Sequence, residues 1–363
     1  MKGLDLLPLC QEKGLPFFSY RLPDTEAVVV GVQRSPELEL VSDFDALDIS
    51  RKGFLVAPFL FGEGHPAYFL KADWEMDGES LVSLDWNSLG TEEPSHPISL
   101  GQPATPLSKV DYFQRVNHLI EKIRQGEVGK VVFSRSLLSS TGQDFDWLGA
   151  YRQILAECTH AFVYCLYIPK EGLWMGASPE LLLRKKGKNV ETVALAGTMQ
   201  ASSSSWSTKN SEEQALVVRY IAEALRRSDV EEVKTEGPVS VLAGNVCHLK
   251  TFFSATLPDE SKALSLLKAL HPTPAVCGYP KQTAMALIRS TELTDRSFYS
   301  GFLGPVDGGN FDFHVNLRCM RVYADAAELF VGGGIMENSD AEDEWNETIL
   351  KSKTMNRFVR EKA

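Results

Sequence analysis

The chain has 363 residues, 44% of them apolar, and its 37 Lys and Arg against 48 Asp and Glu give a formal charge of −11. That is material for a large core in one sheet-rich unit or about two domains; the lack of a basic block interleaved with aromatics speaks against a nucleic-acid partner, and the acidic balance against an anionic membrane surface. Six dispersed cysteines (10, 158, 165, 247, 277 and 319) without a C-x-x-C read as reduced core residues; with Asp5 and Pro8 breaking the N-terminal apolar stretch and Pro58 inside the longest apolar run, 54–61, the expectation is a cytoplasmic protein.

From residue 1 to 106 the pattern is one of short strand-like runs broken by Gly, Pro and acidic clusters, clearest at 27–32 and 53–61, and closing in a Pro/Ser/Gly-rich connection at 88–106. A helix follows, with Ser108 and Asp111 as a capping box, a stripe of Phe113, Val116, Ile120 and Ile123, and Gly126 as its stop. Strands are predicted over 130–138, 161–168 and 173–177, and a hairpin over 180–195. After a Ser-rich loop at 201–211, a helix is predicted from Ser211, capped with Gln214, and then strands over 239–242 and 246–257. Helical stretches at 260–270 and 281–291 bracket an irregular HPTPAVCGYP. Two long strands, 311–323 and 328–335, then lead through Gly332-Gly333-Gly334 into a C-terminal helix with Ser339 and Glu342 as its box. Strands in runs with irregularly inserted helices predict an α+β fold of large antiparallel sheets flanked by helices. Its β-rich first part, 1–106, would belong to one unit with a core at 107–363.

Several residue patterns carry chemistry. On the C-terminal helix Glu344, Glu347 and Lys351 share one face. Two carboxylates so placed can hold a hard divalent cation, although a solvated acidic face favoured by the helix dipole is the better account of this segment taken alone. Glu213, expected in the first turn of the 211–227 helix, repeats the theme. The three glycines at 332–334 either offer amides to an anion or make a tight strand exit; they match no nucleotide-binding spacing. Lys130, opening an apolar strand, and Glu180, before three leucines, are the candidate base and acid: burial lowers a lysine's pKa and raises a glutamate's. Each alone reads equally as an edge charge. Arg318, among apolar neighbours, needs a carboxylate partner from protein or ligand. His248 and His271 read as satisfied structural imidazoles.

In order along the chain, KVVFSR, ASPELLLR, LAGT, the acidic start of the 211–227 helix, HLKT, HPTPAVCG, the G-x-x-G around Gly301, NLRC, GGGI and EWNETILK make residues 108–353 resemble the chorismate-utilising enzymes. The resemblance implies that Lys130 activates water for attack at C2 of chorismate and that Glu180 protonates the departing C4 hydroxyl. It implies Mg²⁺ on Glu213 and Glu344, with Glu347 adjoining, and substrate contacts from Gly197, Thr198, Ala275, Tyr299, Arg318, Gly333, Gly334 and Lys351. No oligomer is required.

Within that family the anthranilate-type members carry Gln where Lys130 stands. One kind of aminodeoxychorismate synthase carries a nucleophilic lysine where Ala196 stands, and lyase-active relatives tend to carry Thr where Ala275 stands. The residues here are those of isochorismate synthases, whose product serves menaquinone or siderophore synthesis. Tyr299 resembles lyase-active members and keeps salicylate synthase as the alternative; an anthranilate-type enzyme, an inert relative acting as a binding subunit and a Mg²⁺-dependent phosphoryl-transfer enzyme are more distant ones. Gln214 stands where family members usually have His.

Overall fold

The computed structural model describes residues 2–80, 102–142, 145–201, 205–243 and 246–359. Among these, eighteen strands make two nine-stranded antiparallel sheets, the α+β architecture expected. Across the first sheet the order is Gly278–Tyr279, Lys130–Ser140, Ala326–Ile335, Cys319–Val322, Gly172–Ser178, Phe162–Ile168, Phe17–Arg21, Val29–Val32 and Trp74–Asp77. Across the second it is Glu231–Ala243, Val246–Thr256, Asn189–Gln200, Leu181–Lys186, Asn310–Val315, Phe302–Asp307, Gly53–Ala57, Ala67–Lys71 and Glu39–Val41. Residues 17–77 thus supply three strands to each sheet. Of the predicted 88–106 connection, 88–101 lie outside the described residues.

The sheets pack face to face through an aromatic core to which both contribute: Phe18, Phe162, Tyr164 and Trp174 from the first, Phe54, Val56 and Leu303 from the second. Phe162–Ile168 is buried at every residue, and so it reads as a continuous apolar run (FVYCLYI) rather than an alternating one. Helices cover the outer faces. Thr208–Arg227 and Lys262–Leu270 pack on the second sheet, and Trp147–Glu157 on the first. Lys109–Arg124 and Lys281–Thr291 cover the end of the first sheet that carries Lys130–Ser140. The Ser108 cap is formed as expected, its Oγ accepting the Asp111 amide at 3.1 Å. All six cysteines are free. No helix among the described residues is long and apolar enough to cross a membrane.

Four expectations are corrected. The predicted 311–323 strand is two strands in different sheets: the chain leaves the second sheet at Val315 and enters the first at Cys319, with Arg318 between them at φ +48°. The second long helix begins a turn early, at Thr208, capped by Ser207, so Ser211 is interior and Glu213 lies beyond the first turn. The last helix is capped by Asp340, because Ser339 is engaged elsewhere. Gly332–Gly334 is no loop but the paired end of Ala326–Ile335, opposite Ser134, Phe133 and Val132.

Candidate active site

Two chain crossings between the sheets build the site. At the first, Ser178 ends a strand of one sheet and Leu181 begins a strand of the other, leaving Pro179 and Glu180 at the bend. At the second, 316–318 make the return. The crossings are tied to each other: Val315 donates its amide to Glu180 O at 3.0 Å, Ser178 Oγ donates to Val315 O at 2.5 Å, and Ala177 donates its amide to Arg318 O at 3.0 Å. The backbones that carry Glu180 and Arg318, far apart in sequence, are thereby tied together, and both residues line one cleft.

Glu180 is 2% exposed and its Oε1 has no hydrogen-bond partner among the described residues. Burial pushes its carboxyl up to about 8, against the opposing pull of Lys130 and Lys250, so that it carries a proton at neutral pH. Arg318 donates from Nη2 to Nε2 of His248 at 2.9 Å, and no protein carboxylate among the described residues pairs with it. His248 faces the Gly197 carbonyl with Nδ1 at 3.0 Å, which assigns the proton to Nδ1. Burial, then the Arg318 charge, lowers its pKa to about 3, so it is a neutral prop for the guanidinium. Gly197 needs its left-handed φ of +71°, and a Cβ there would meet Asn210 O at 3.0 Å. The amides of Gly197 and Thr198 are already committed, to Glu213 Oε2 and Asn210 Oδ1, each at 3.3 Å.

The expected apolar setting of Lys130 is not found. The side chain is fully buried, but its Nζ lies 2.7 Å from Glu213 Oε1 in an ion pair. The Glu213 carboxyl is held below the usual range: burial opposes this, and the charges of Lys130 and then Lys209 outweigh it. Glu344 lies beyond the neighbouring glycine. Its Oε1 accepts from Lys209 and, at 2.6 Å, from Ser339 Oγ, while Oε2 is buried without a partner. Burial and the Glu347 charge raise its pKa. Glu347 pairs with Lys351 at 2.6 Å, and Lys351 also donates to Gly332 O at 2.8 Å.

The glycine strand makes these approaches possible. A Cβ on Gly334 would lie 2.2 Å from Glu213 Oε1 and 2.9 Å from Lys130 Cε, and one on Gly333 would lie 3.1 Å from Glu344 Oε2. The donor set of Glu213 and Glu344 is oxygen-only, and one buried oxygen is unused, which fits a hard divalent cation; no group of three or more His, Cys, Asp or Glu suited to a metal occurs among the described residues.

Of the residues singled out from sequence, Glu180, Gly197, Thr198, Glu213, Ala275, Tyr299, Arg318, Gly334 and Lys351 line the cleft. Lys130 reaches it through Glu213, while Gly333, Glu344 and Glu347 lie outside the lining set. Gln214 points the other way, donating to Ala194 O at 3.2 Å and Thr251 Oγ1 at 3.1 Å, so the departure from His removes nothing from the cleft. Sequence reasoning missed Lys209, which sits four residues before Glu213 and so on the same helix face; reading Ser207 as the cap would have revealed it.

Similarity to known proteins agrees with this geometry. Residues 83–360 match the family model described as chorismate binding enzyme. The vibriobactin-specific isochorismate synthase of Vibrio cholerae is 31% identical over 257 residues, 67% of this chain and 65% of that protein. The isochorismate synthase EntC of Escherichia coli is 32% identical over 241 residues, 63% of this chain and 62% of that one. The chain thus spans a little under two thirds of the length of these relatives. The crystal structure of MenF, the menaquinone-specific isochorismate synthase of Escherichia coli, shares the fold, with a TM-score of 0.80 over 99% of this chain and 92% of that one at 21% identity. With the matched family model spanning the crossings, the glycine strand and the acidic helix alike, the chain belongs to the chorismate-binding enzymes.

Proposed function

We propose that the protein is an isochorismate synthase. The observation that carries this reading is the pairing of opposite chemistries in one cleft: a carboxyl kept protonated by burial, Glu180, within the electrostatic reach of a buried lysine, Lys130, and an arginine, Arg318, that pairs with no carboxylate among the described residues. Arg318 and Lys351 bind the carboxylates of chorismate. Lys130, in its unprotonated amine form, takes a proton from water as its oxygen bonds to C2. Both ring double bonds shift, C1=C2 to C1=C6 and C5=C6 to C4=C5, the C4–O bond breaks, and Glu180 gives its proton to the leaving hydroxyl. Water in and water out balance, so the product is an isomer of the substrate. Mg²⁺ on Glu213 and Glu344, with Glu347 adjoining, would fix the ring carboxylate and offset its charge.

The test is chromatography of the products of purified protein with chorismate and Mg²⁺. Isochorismate is expected without an added amine, and its formation is expected to stop when the metal is chelated. Tyr299, which lines the cleft beside Gly332 and Phe330, favours salicylate synthase as the second reading. Salicylate with pyruvate as the main output would establish that reading in place of the first, and anthranilate made from ammonia would overturn both. Relatives named for a siderophore and for menaquinone leave either use of the product open to this chain.

A second expected outcome concerns Gly334→Ala. Only the ends of two side chains stand in the way of the new methyl, so the fold should survive, with a lower Tm because both ends are buried. The Lys130–Glu213 contact must open, however, and turnover should fall by about 10-fold or more. Unchanged turnover would show that the contact plays no part in the reaction.

A further inference from the structure

A dianionic substrate must reach this cleft in a protein of formal charge −11. The cleft has a neighbour, a solvent-open cavity that shares Pro179 and Arg318 with it and is also lined by Lys250. Lys250 stands two residues after His248 on Val246–Thr256, hence on the same face of that strand, one step further from Arg318. Of the other basic side chains around this cavity, Arg357 pairs with Glu157 at 3.1 Å, and Nδ1 of His160 lies 2.5 Å from Asp24 Oδ1. Lys250 makes no ion pair among the described residues. Its Nζ lies 4.8 Å from the centre of the Phe252 ring, and its charge is felt by Glu180 and Asp24. Arg184, its nearest cationic neighbour, is tied to Asp312 and Glu191.

A half-buried ammonium without a counter-ion costs solvation and is returned little by one aromatic face. Such a group suits an anion that comes and goes. The cavity beside Lys209 has three carboxylates, Glu127, Glu212 and Glu337, to its one lysine, whereas the carboxylates lining the outer cavity, Asp24 and Glu157, are met by His160 and Arg357. Resting on the isochorismate synthase reading, we propose that Lys250 is the capture cation of the substrate path: it receives a carboxylate of the incoming dicarboxylate in the outer cavity and passes it to Arg318.

The experiment compares steady-state kinetics on chorismate for the full-length protein with Lys250→Gln and Lys250→Arg across a salt series. For Lys250→Gln, kcat/KM should fall ~10-fold at low salt while kcat stays within about 2-fold, and the salt dependence of kcat/KM should flatten. Lys250→Arg should restore both. A fall in kcat at unchanged KM would mean that Lys250 acts on Glu180 instead, and an undiminished salt dependence in active Lys250→Gln would remove the capture role; either outcome overturns this inference alone. Wild-type protein that does not convert chorismate would overturn the isochorismate reading and this inference with it.

Discussion

Lys130→Gln is expected to lose water addition by about 10²- to 10⁴-fold, the range for removal of a general base. The substitution also strips Glu213 of its 2.7 Å partner, and breaking a buried pair is destabilising by ~3–5 kcal/mol when nothing replaces the lost charge. Here Lys209 still acts on Glu213, which moderates that loss. Lys130→Arg separates the two roles, since a guanidinium keeps a cation against Glu213 but does not give up its proton in a protein. If the lysine is the base, the Arg variant should melt closer to wild type than the Gln variant and be equally inactive. Rapid turnover by a folded Lys130→Arg would end the base assignment. Removing the Lys130 charge also lifts one of the influences that hold Glu180 down, so the residual activity of Lys130→Gln should extend to higher pH than that of wild type.

Glu180→Gln should lose turnover by a comparable 10²- to 10⁴-fold, because the amide cannot protonate a leaving hydroxyl. The wild-type rate should decline as pH rises through about 8, where the acid loses its proton. The effect on stability has the opposite sign. The folded-state pKa lies above the unfolded value of 4.5, so the contribution of Glu180 to stability is complete below about 4.5 and is lost as pH rises through 8. Gln suffers no such loss. The inactive variant should therefore outlast the active enzyme in denaturant at pH 9 by on the order of 4 kcal/mol, with the gap closing toward pH 5. Equal midpoints at pH 9 would show that the carboxyl is not held protonated by its surroundings.

Much of this molecule is legible in the sequence where local patterns decide. The Ser108 cap, the helices near 262–270 and 281–291 and the strand at Lys130 follow from spacing alone. What eluded it has a common cause: the competing choice is made by tertiary contacts. Residues 311–323 are apolar enough to run on as one strand, and only packing against the 178–181 crossing turns Asn316, Leu317 and Arg318 out of line. Ser339 looks like a cap but is drawn to Glu344, leaving Asp340 to do that work. The glycines at 332–334 resemble an anion-binding loop because sequence cannot show that the missing side chains make room for Glu213, Glu344 and Lys130. The candidate acid, base and carboxylates could be picked out residue by residue. Their electrostatic settings could not, since Lys130 and Glu213 meet only when two distant elements dock.

The paired crossings also bear on how the chain reaches its folded state. The hydrogen bond from Ser178 to Val315 closes a separation of 137 residues, and the strands on either side of each crossing belong to different sheets. Neither sheet can therefore be completed before the other, and contacts of such long range favour slow folding. Glu180 and Arg318 come together only at the end of that process, so recovery of activity after dilution from denaturant should lag the return of secondary structure.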